Sequence, residues 1–446
     1  MYKRFFTLLL GVTAAINYTP LLAQESKGLT LNEAIELGIK NSSLLKNNKA
    51  LADEASAAVK ETMNNRLPDV SFSGSYMYLP ITPSISTSIK TGGDSSGGGG
   101  AKVRQAMYGM ASASLPLYSG GRLKYGIESA KYLEQAAKLD ADNNREEVIF
   151  NTIDAFANLY KAKAAVAIVN DNLEQSRQRV KDFSNLEKNG LLPRNDLLKA
   201  ELQASNSELA VLDAENNYKL ANTNMTIMLG LPRQTTITPD SASLQQNIQL
   251  KTIEDYEQLA LQNRKDIEAL GYRKKAAQSG IKSAKAEYYP NVALTGGYAA
   301  VDVPNLLSAT NIINVGVGVK YSLSSLWKTD AKVQRVKAVE QQLVANEAML
   351  HDNVQLQINR VYQQYLLSVK KIEVYAKAVD QAVENYKITK NKYDNSLATT
   401  TDLLDADVAQ LQAKLNYTFS KTDGVVAYSK LQQTAGLLYT KQKSSY

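Results

Sequence analysis

Two turns gather the acids that could do chemistry. NGLLPRNDLLKA (Asn189–Ala200) and NSLATTTDLLDA (Asn395–Ala406) each interrupt a long helical pattern with a polar turn, then supply aspartate. Asp196 and Asp402 stand where a helix begins, and unpaired backbone N–H groups and the helix dipole favour a carboxylate there. Asp405 lies three residues after Asp402, so the two share roughly one helix face. Capping accounts for Asp196 and can account for Asp402. The other reading is ionic: a carboxylate pair repeated by threefold symmetry becomes two stacked acidic rings, which select cations and repel one another.

No competing chemistry appears. The chain has no cysteine and one histidine, His351, in the middle of a helical pattern. That excludes disulfides, thiolate metal sites and a lipoprotein attachment. There is no nucleophile elbow, no His/carboxylate metal pattern and no Walker motif. The glycine-rich TGGDSSGGGG (Thr91–Gly100) has no Lys-Ser/Thr after it and no helix to follow, so it reads as a flexible loop rather than a phosphate cradle. No cofactor is expected, and the chain is not expected to be an enzyme.

Lys3 and Arg4, an apolar run over Phe5–Ala15 and the small residue Ala23 before Gln24-Glu25-Ser26 describe a secretory signal peptide over residues 1–23. Its loss lowers the formal charge from +7 to +5, too mild a balance to argue for nucleic acid. No later apolar run reaches the length of a transmembrane helix.

The elements that must position the two turns come in duplicate. LPDVSFSGSY (Leu67–Tyr76) recurs as YPNVALTGGY (Tyr289–Tyr298), and LNEAIELGIKN (Leu31–Asn41) matches IEDYEQLALQN (Ile253–Asn263). Ile149, Ile153, Phe156 and Tyr160 correspond to Val354, Ile358, Val361 and Tyr365, and Asp196 to Asp402. Each half reads as a short helix, a longer helix, a strand pair, a very long helix, a turn and a long helix. The first repeat spans 24–235, with a hairpin over about 69–118 and helices over about 122–188 and 195–230. A linker occupies 236–252. The second repeat spans 253–446, with a hairpin over about 291–322 and helices over about 326–394 and 401–440. The ten prolines fall in the signal, strand edges, turns and linkers, never inside a helical stretch.

Ile313, Val315, Val317, Val319 and Tyr321 alternate with Asn314, Gly316, Gly318 and Lys320, giving one apolar and one polar or tiny face. Such alternation with tyrosines near strand ends suits a membrane barrel. Four strands cannot close one, and open edges in lipid cost several kcal/mol per unpaired group. Two copies give eight strands and a filled bore; three give twelve and an opening. A homotrimer is therefore expected, with the strands in the membrane and the two acidic turns at the far, periplasmic tip.

With LTLNEAIELGIKNS after the signal and TTTDLLDADVAQLQAK near the last turn, the chain resembles the TolC-like outer-membrane efflux proteins over essentially its whole mature length. The resemblance implies a membrane α+β fold: an internally duplicated protomer giving four β-strands to a shared 12-stranded trimeric β-barrel, with long α-helices forming a periplasmic α-helical barrel. It implies an exit duct of a tripartite efflux pump or type I secretion system. The partners would be a periplasmic adaptor, an inner-membrane RND or ABC transporter and outer-membrane lipid. It also places Asp402 and Asp405 in aperture rings, Tyr393 in the bonds that hold the aperture shut, and Asp196 as their acidic partner. Ala398 departs from the arginine that the family often has in this latch, leaving Arg194 or Lys390 as substitutes. The rival reading is a trimeric coiled-coil surface adhesin or structural outer-membrane protein with no conducting pore.

Overall fold

The computed structural model describes residues 26–81, 103–240, 249–304 and 306–438. The expected signal peptide of residues 1–23 and the glycine-rich segment 91–100 lie outside them.

The chain order is β1 (Ser26–Leu29), α1 (Leu31–Asn41), α2 (Ser43–Asn64), β2 (Asp69–Tyr78), β3 (Gln105–Tyr118), α3 (Arg122–Lys188), α4 (Arg194–Leu229) and β4 (Thr236–Pro239). It continues through α5 (Ile253–Asn263), α6 (Lys265–Lys285), β5 (Asn291–Val303), β6 (Leu307–Lys320), α7 (Ser325–Asp394) and α8 (Thr400–Thr434). Helices α3 and α7, of 67 and 70 residues, each run about 100 Å. Each starts at the end of a strand and ends in a tip turn, so sheet and tips occupy opposite ends.

The repetition reaches individual bonds. Thr30 and Glu33 form a capping box on α1, and Thr252 and Asp255 form the same box on α5. The core around Ile149, Ile153 and Phe156, packed under α1, is matched by one around Val354 and Ile358, packed under α5. The joints correspond too. Asn41 Nδ2 donates to Leu229 O at 2.6 Å, seating the end of α4 against the α1–α2 joint. Arg264 Nη1 donates to Thr434 O at 3.2 Å, seating the end of α8 against the α5–α6 joint. Two shorter helices thus continue one another alongside each long one.

Two details differ from the sequence reading. The stretch taken as a linker holds β4, which pairs in parallel with β1. Helix α8 stops at Thr434, short of the expected 440. Gly436 takes a left-handed φ of 69° there, and a Cβ on it would lie 3.1 Å from the backbone of Asn263 and Arg264. The contact that seats the joint is what ends the helix.

The sheet is antiparallel in the order β2-β3-β5-β6. Its register puts Val70, Phe72, Tyr76, Ala111, Ala113, Leu294, Tyr298, Ile313, Val315 and Val317 on one face. Ser71, Ser73, Ser112, Ser114, Thr295 and Asn314 occupy the other, with Tyr108, Met110 and Ile312 toward its outer end. In the single chain the apolar face is bare: Phe72 is 82% and Val315 79% exposed. Pro116 sits in β3 beside a register shift, where a strand tolerates a missing donor. Strands β2 and β6 are open edges.

Candidate functional site

At the far end, α3–α4 and α7–α8 each close in the same turn. Gly190 N donates to Glu187 O at 2.8 Å and Leu191 N to Leu186 O at 2.9 Å; Ser396 N donates to Tyr393 O at 2.9 Å and Leu397 N to Lys392 O at 2.8 Å. This bond pair ends a helix through one left-handed residue, here Gly190 (φ 71°) and Ser396 (φ 60°). The next residues, Leu191 and Leu397, are 74% and 77% exposed and form the outermost apolar points of the tips.

The predicted acids divide by role. Asp402 closes a capping box: its Oδ2 accepts from Thr399 N at 2.9 Å and Thr399 Oγ1 at 2.7 Å, while Asp402 N donates to Thr399 Oγ1 at 3.2 Å. The Thr399 hydroxyl and backbone N–H hold the Asp402 carboxyl below its ordinary pKa. Asp196 does not cap. Helix α4 starts behind Pro193 with no side-chain cap, and Asp196 Oδ1 instead accepts from Lys199 Nζ at 3.1 Å. Lys199 also donates to Thr401 Oγ1 at 3.3 Å, bringing Asp196 beside the first turn of α8. Asp405 is exposed one turn along from Asp402.

Tyr393 stacks on Phe183 of α3 at 5.5 Å, in a small core with Leu197, Ala200 and Leu403. No hydrogen bond among the described residues joins it to Asp402. Arg194 pairs with Glu187 at 3.7 Å and Lys390 with Asp394 at 2.8 Å.

The polar centre that sequence reasoning missed is buried farther up. Arg179 Nη1 bonds Asp407 Oδ2 at 3.0 Å, with the two side chains 8% and 1% exposed. Arg179 Nη2 donates to the Tyr386 hydroxyl at 3.3 Å. Asn172 Nδ2 reaches both Asp407 oxygens at 3.4 Å, and Ser207 Oγ donates to Asn172 Oδ1 at 3.1 Å. All four tip helices contribute. Burial opposes the charge of Arg179, but the Asp407 bond and its attraction outweigh this and raise the guanidinium pKa. A signal existed: Asp407 falls within the α8 stripe Leu403, Ala406, Gln410 and Ala413, and Arg179 within the α3 stripe Leu173, Ser176 and Phe183.

Among the described residues no group of three or more His, Cys, Asp or Glu could hold a metal, and no helix is long and apolar enough to cross a membrane. What the fold offers is a bare-edged sheet with one apolar face, carried on paired helices that end in acidic tips. That combination points to an outer-membrane protein.

The outer membrane efflux protein family matches residues 34–231 and 257–437, and the chain belongs to that family, an outer-membrane protein with its helical part in the periplasm. It is 22% identical over 310 residues to the outer membrane efflux protein BepC of Brucella suis, covering 67% of this chain and 66% of that one, just under two thirds of the relative's length. The outer membrane protein VceC of Vibrio cholerae is similar in structure, with a TM-score of 0.72, 20% identity and coverage of 91% of this chain and 96% of that one. The open state of the Neisseria gonorrhoeae outer membrane channel MtrE superposes with a TM-score of 0.70 at 15% identity, covering 92% and 89%.

Proposed function

We propose that three copies close a twelve-stranded barrel and a helical tunnel, and that this trimer is the passive exit duct of a tripartite efflux pump or type I secretion system. The observation that carries the reading is the sheet with two open edges and one bare apolar face. Edge β2 of one copy meets edge β6 of the next, so that no backbone group is left unpaired in lipid. The helices agree. In one copy they lie in the order α4, α3, α8, α7. The outermost two carry exposed stripes, Leu198, Leu202 and Leu209 on α4 and Met349, Leu356, Leu367 and Val374 on α7. Each stripe finds cover on the neighbouring copy.

Threefold symmetry turns Asp402 and Asp405 into two rings at the periplasmic aperture, with Asp196 beside them and Tyr393 packed behind. A periplasmic adaptor meets the tips at Leu191 and Leu397, and an inner-membrane RND or ABC transporter supplies the cargo. Opening separates the tips below the buried Arg179–Asp407 tie.

Planar-bilayer recording tests this. The wild type should give discrete conductance steps with cation preference and divalent block; D402A/D405A should conduct with the preference and the block largely lost. Unchanged cation response would remove the aperture assignment, and no steps from the wild type would favour a closed stalk.

A further inference from the structure

On β6, the strand that leads into α7, the apolar face is too short for the membrane it has to cross. It runs from Ile313 to Val319, about 20 Å of strand and about 15 Å of height at a barrel tilt near 40°, whereas an outer-membrane barrel presents a band about 25 Å tall. At the outer end β5 and β6 turn polar on this face, where Asp302 pairs with Ser308. The missing height has to lie at the helix end.

The residues for it are there. Tyr321 and Leu323 follow Val319 at the strand spacing of two, and Leu326 and Trp327 stand on the first turn of α7, all exposed. Trp327 is 67% exposed and is the only tryptophan of the chain. This turn has two sides. Ser325, Lys328, Thr329 and Lys332 line a crevice together with Ser114, Pro116 and Ala293 of the sheet's polar face and with Tyr118 and Val292 near the strand ends. At about 100° per residue, Trp327 points the opposite way, continuing the apolar face. Asp330, exposed on that same side one turn lower, marks the return to water.

We propose that the first turn of α7, not the sheet, carries the periplasmic edge of the hydrocarbon band, with Trp327 seated in the headgroup–glycerol layer of the phospholipid leaflet. The indole suits that layer: its ring is apolar and its N–H donates to ester and phosphate oxygens. A single turn tying strand to helix at this depth fixes the vertical position of the duct, and with it the distance of the tips from the membrane. This rests on the barrel reading above.

The chain's own fluorescence supplies the test. The wild-type trimer is placed in phosphatidylethanolamine–phosphatidylglycerol vesicles in which conductance steps have been recorded, and part of the lipid is replaced by brominated analogues. Bromine near the acyl carbonyl should quench Trp327 about twofold more than bromine at the chain end, as an interfacial indole requires, and aqueous acrylamide should quench weakly. Trp327→Phe should abolish the signal and leave conductance intact. Strong acrylamide quenching with neither lipid effective would put Trp327 in water. No quenching by any agent would mean that a second copy covers it, and stronger quenching at the chain end would put it in mid-membrane. Each of these overturns the anchor while conduction upholds the pore; a protein that never conducts loses both.

Discussion

The two helix tips are one turn made twice from different materials. At the first, Gly190 takes the left-handed position and α4 starts behind Pro193 with no side-chain cap. At the second, Ser396 takes that position and α8 starts with the Thr399–Asp402 capping box. The first tip is cheap to turn and weakly started; the second is strained at its turn and firmly started. Between them runs the buried Arg179–Asp407 tie. The contrast separates two jobs for aspartate in α8: Asp402 is exposed and organises a helix start, whereas Asp407 is buried and holds two hairpins together.

The largest effect should come from breaking the tie. Arg179→Met or Asp407→Leu alone leaves the remaining charge buried and uncompensated, at a cost of about 3–5 kcal/mol. The double variant R179M/D407L should regain most of it, because two apolar side chains need no charge partner there. Asp405→Leu, exposed at the tip, should change stability by about 0.5 kcal/mol or less. Thermal melting of the helical circular-dichroism signal at one scan rate reads all four. A double variant no better than the singles would mean that the pair carries more than its mutual charge.

Much of this architecture was legible in the residues. The period-two alternation of Ile313–Val319, the proline-free runs and the matched phrases at Leu67–Tyr76 and Tyr289–Tyr298 are local signals, and each structural element they indicate is present. What escaped depends on contacts between distant segments. The pairing of β1 with β4 spans four residues on each side and joins segments about 210 residues apart, too short for a pattern to announce. The end of α8 is set by Gly436 against the α5–α6 joint. Arg179 and Asp407 carry residue types that usually mark a solvated helix face, and only their place within stripes of small and apolar residues hinted at burial.

Next in size is the cap. Thr399→Ala removes the hydroxyl that accepts from Asp402 N and donates to its carboxylate, and should cost about 1 kcal/mol. Pro193→Ala, at a start that has no such bond, should cost much less. The pH dependence has a definite sign. The folded-state pKa of Asp402 is lowered, so the stability from its ionised form is present above the ordinary carboxylate value of 3.8 and is lost as pH falls through the lower folded value. The gap between wild type and T399A should therefore persist at neutral pH and narrow only in acid below that range. A gap that closed near pH 6 would assign the effect to another group.

The smallest effect probes the turn itself. Ser396 in the left-handed region costs about 1–2 kcal/mol relative to an unstrained backbone. Glycine removes that strain but gives the unfolded chain about 0.4–1 kcal/mol more conformational freedom. The difference leaves Ser396→Gly stabilising by about 0.8 kcal/mol, in a range of about 0 to 1.6. The reciprocal Gly190→Ser should destabilise by a similar amount, since no atom lies within 4 Å of where its Cβ would go and only the φ of 71° opposes it. The pair of substitutions exchanges the tips' turn chemistry without touching Asp402, Asp405 or the buried tie. If Ser396→Gly raises the melting midpoint and leaves bilayer conductance unchanged, the strain at the second tip is a local cost of the turn. If instead it shifts the open fraction of the channel, the strain biases the gate, and the second hairpin is the one that moves.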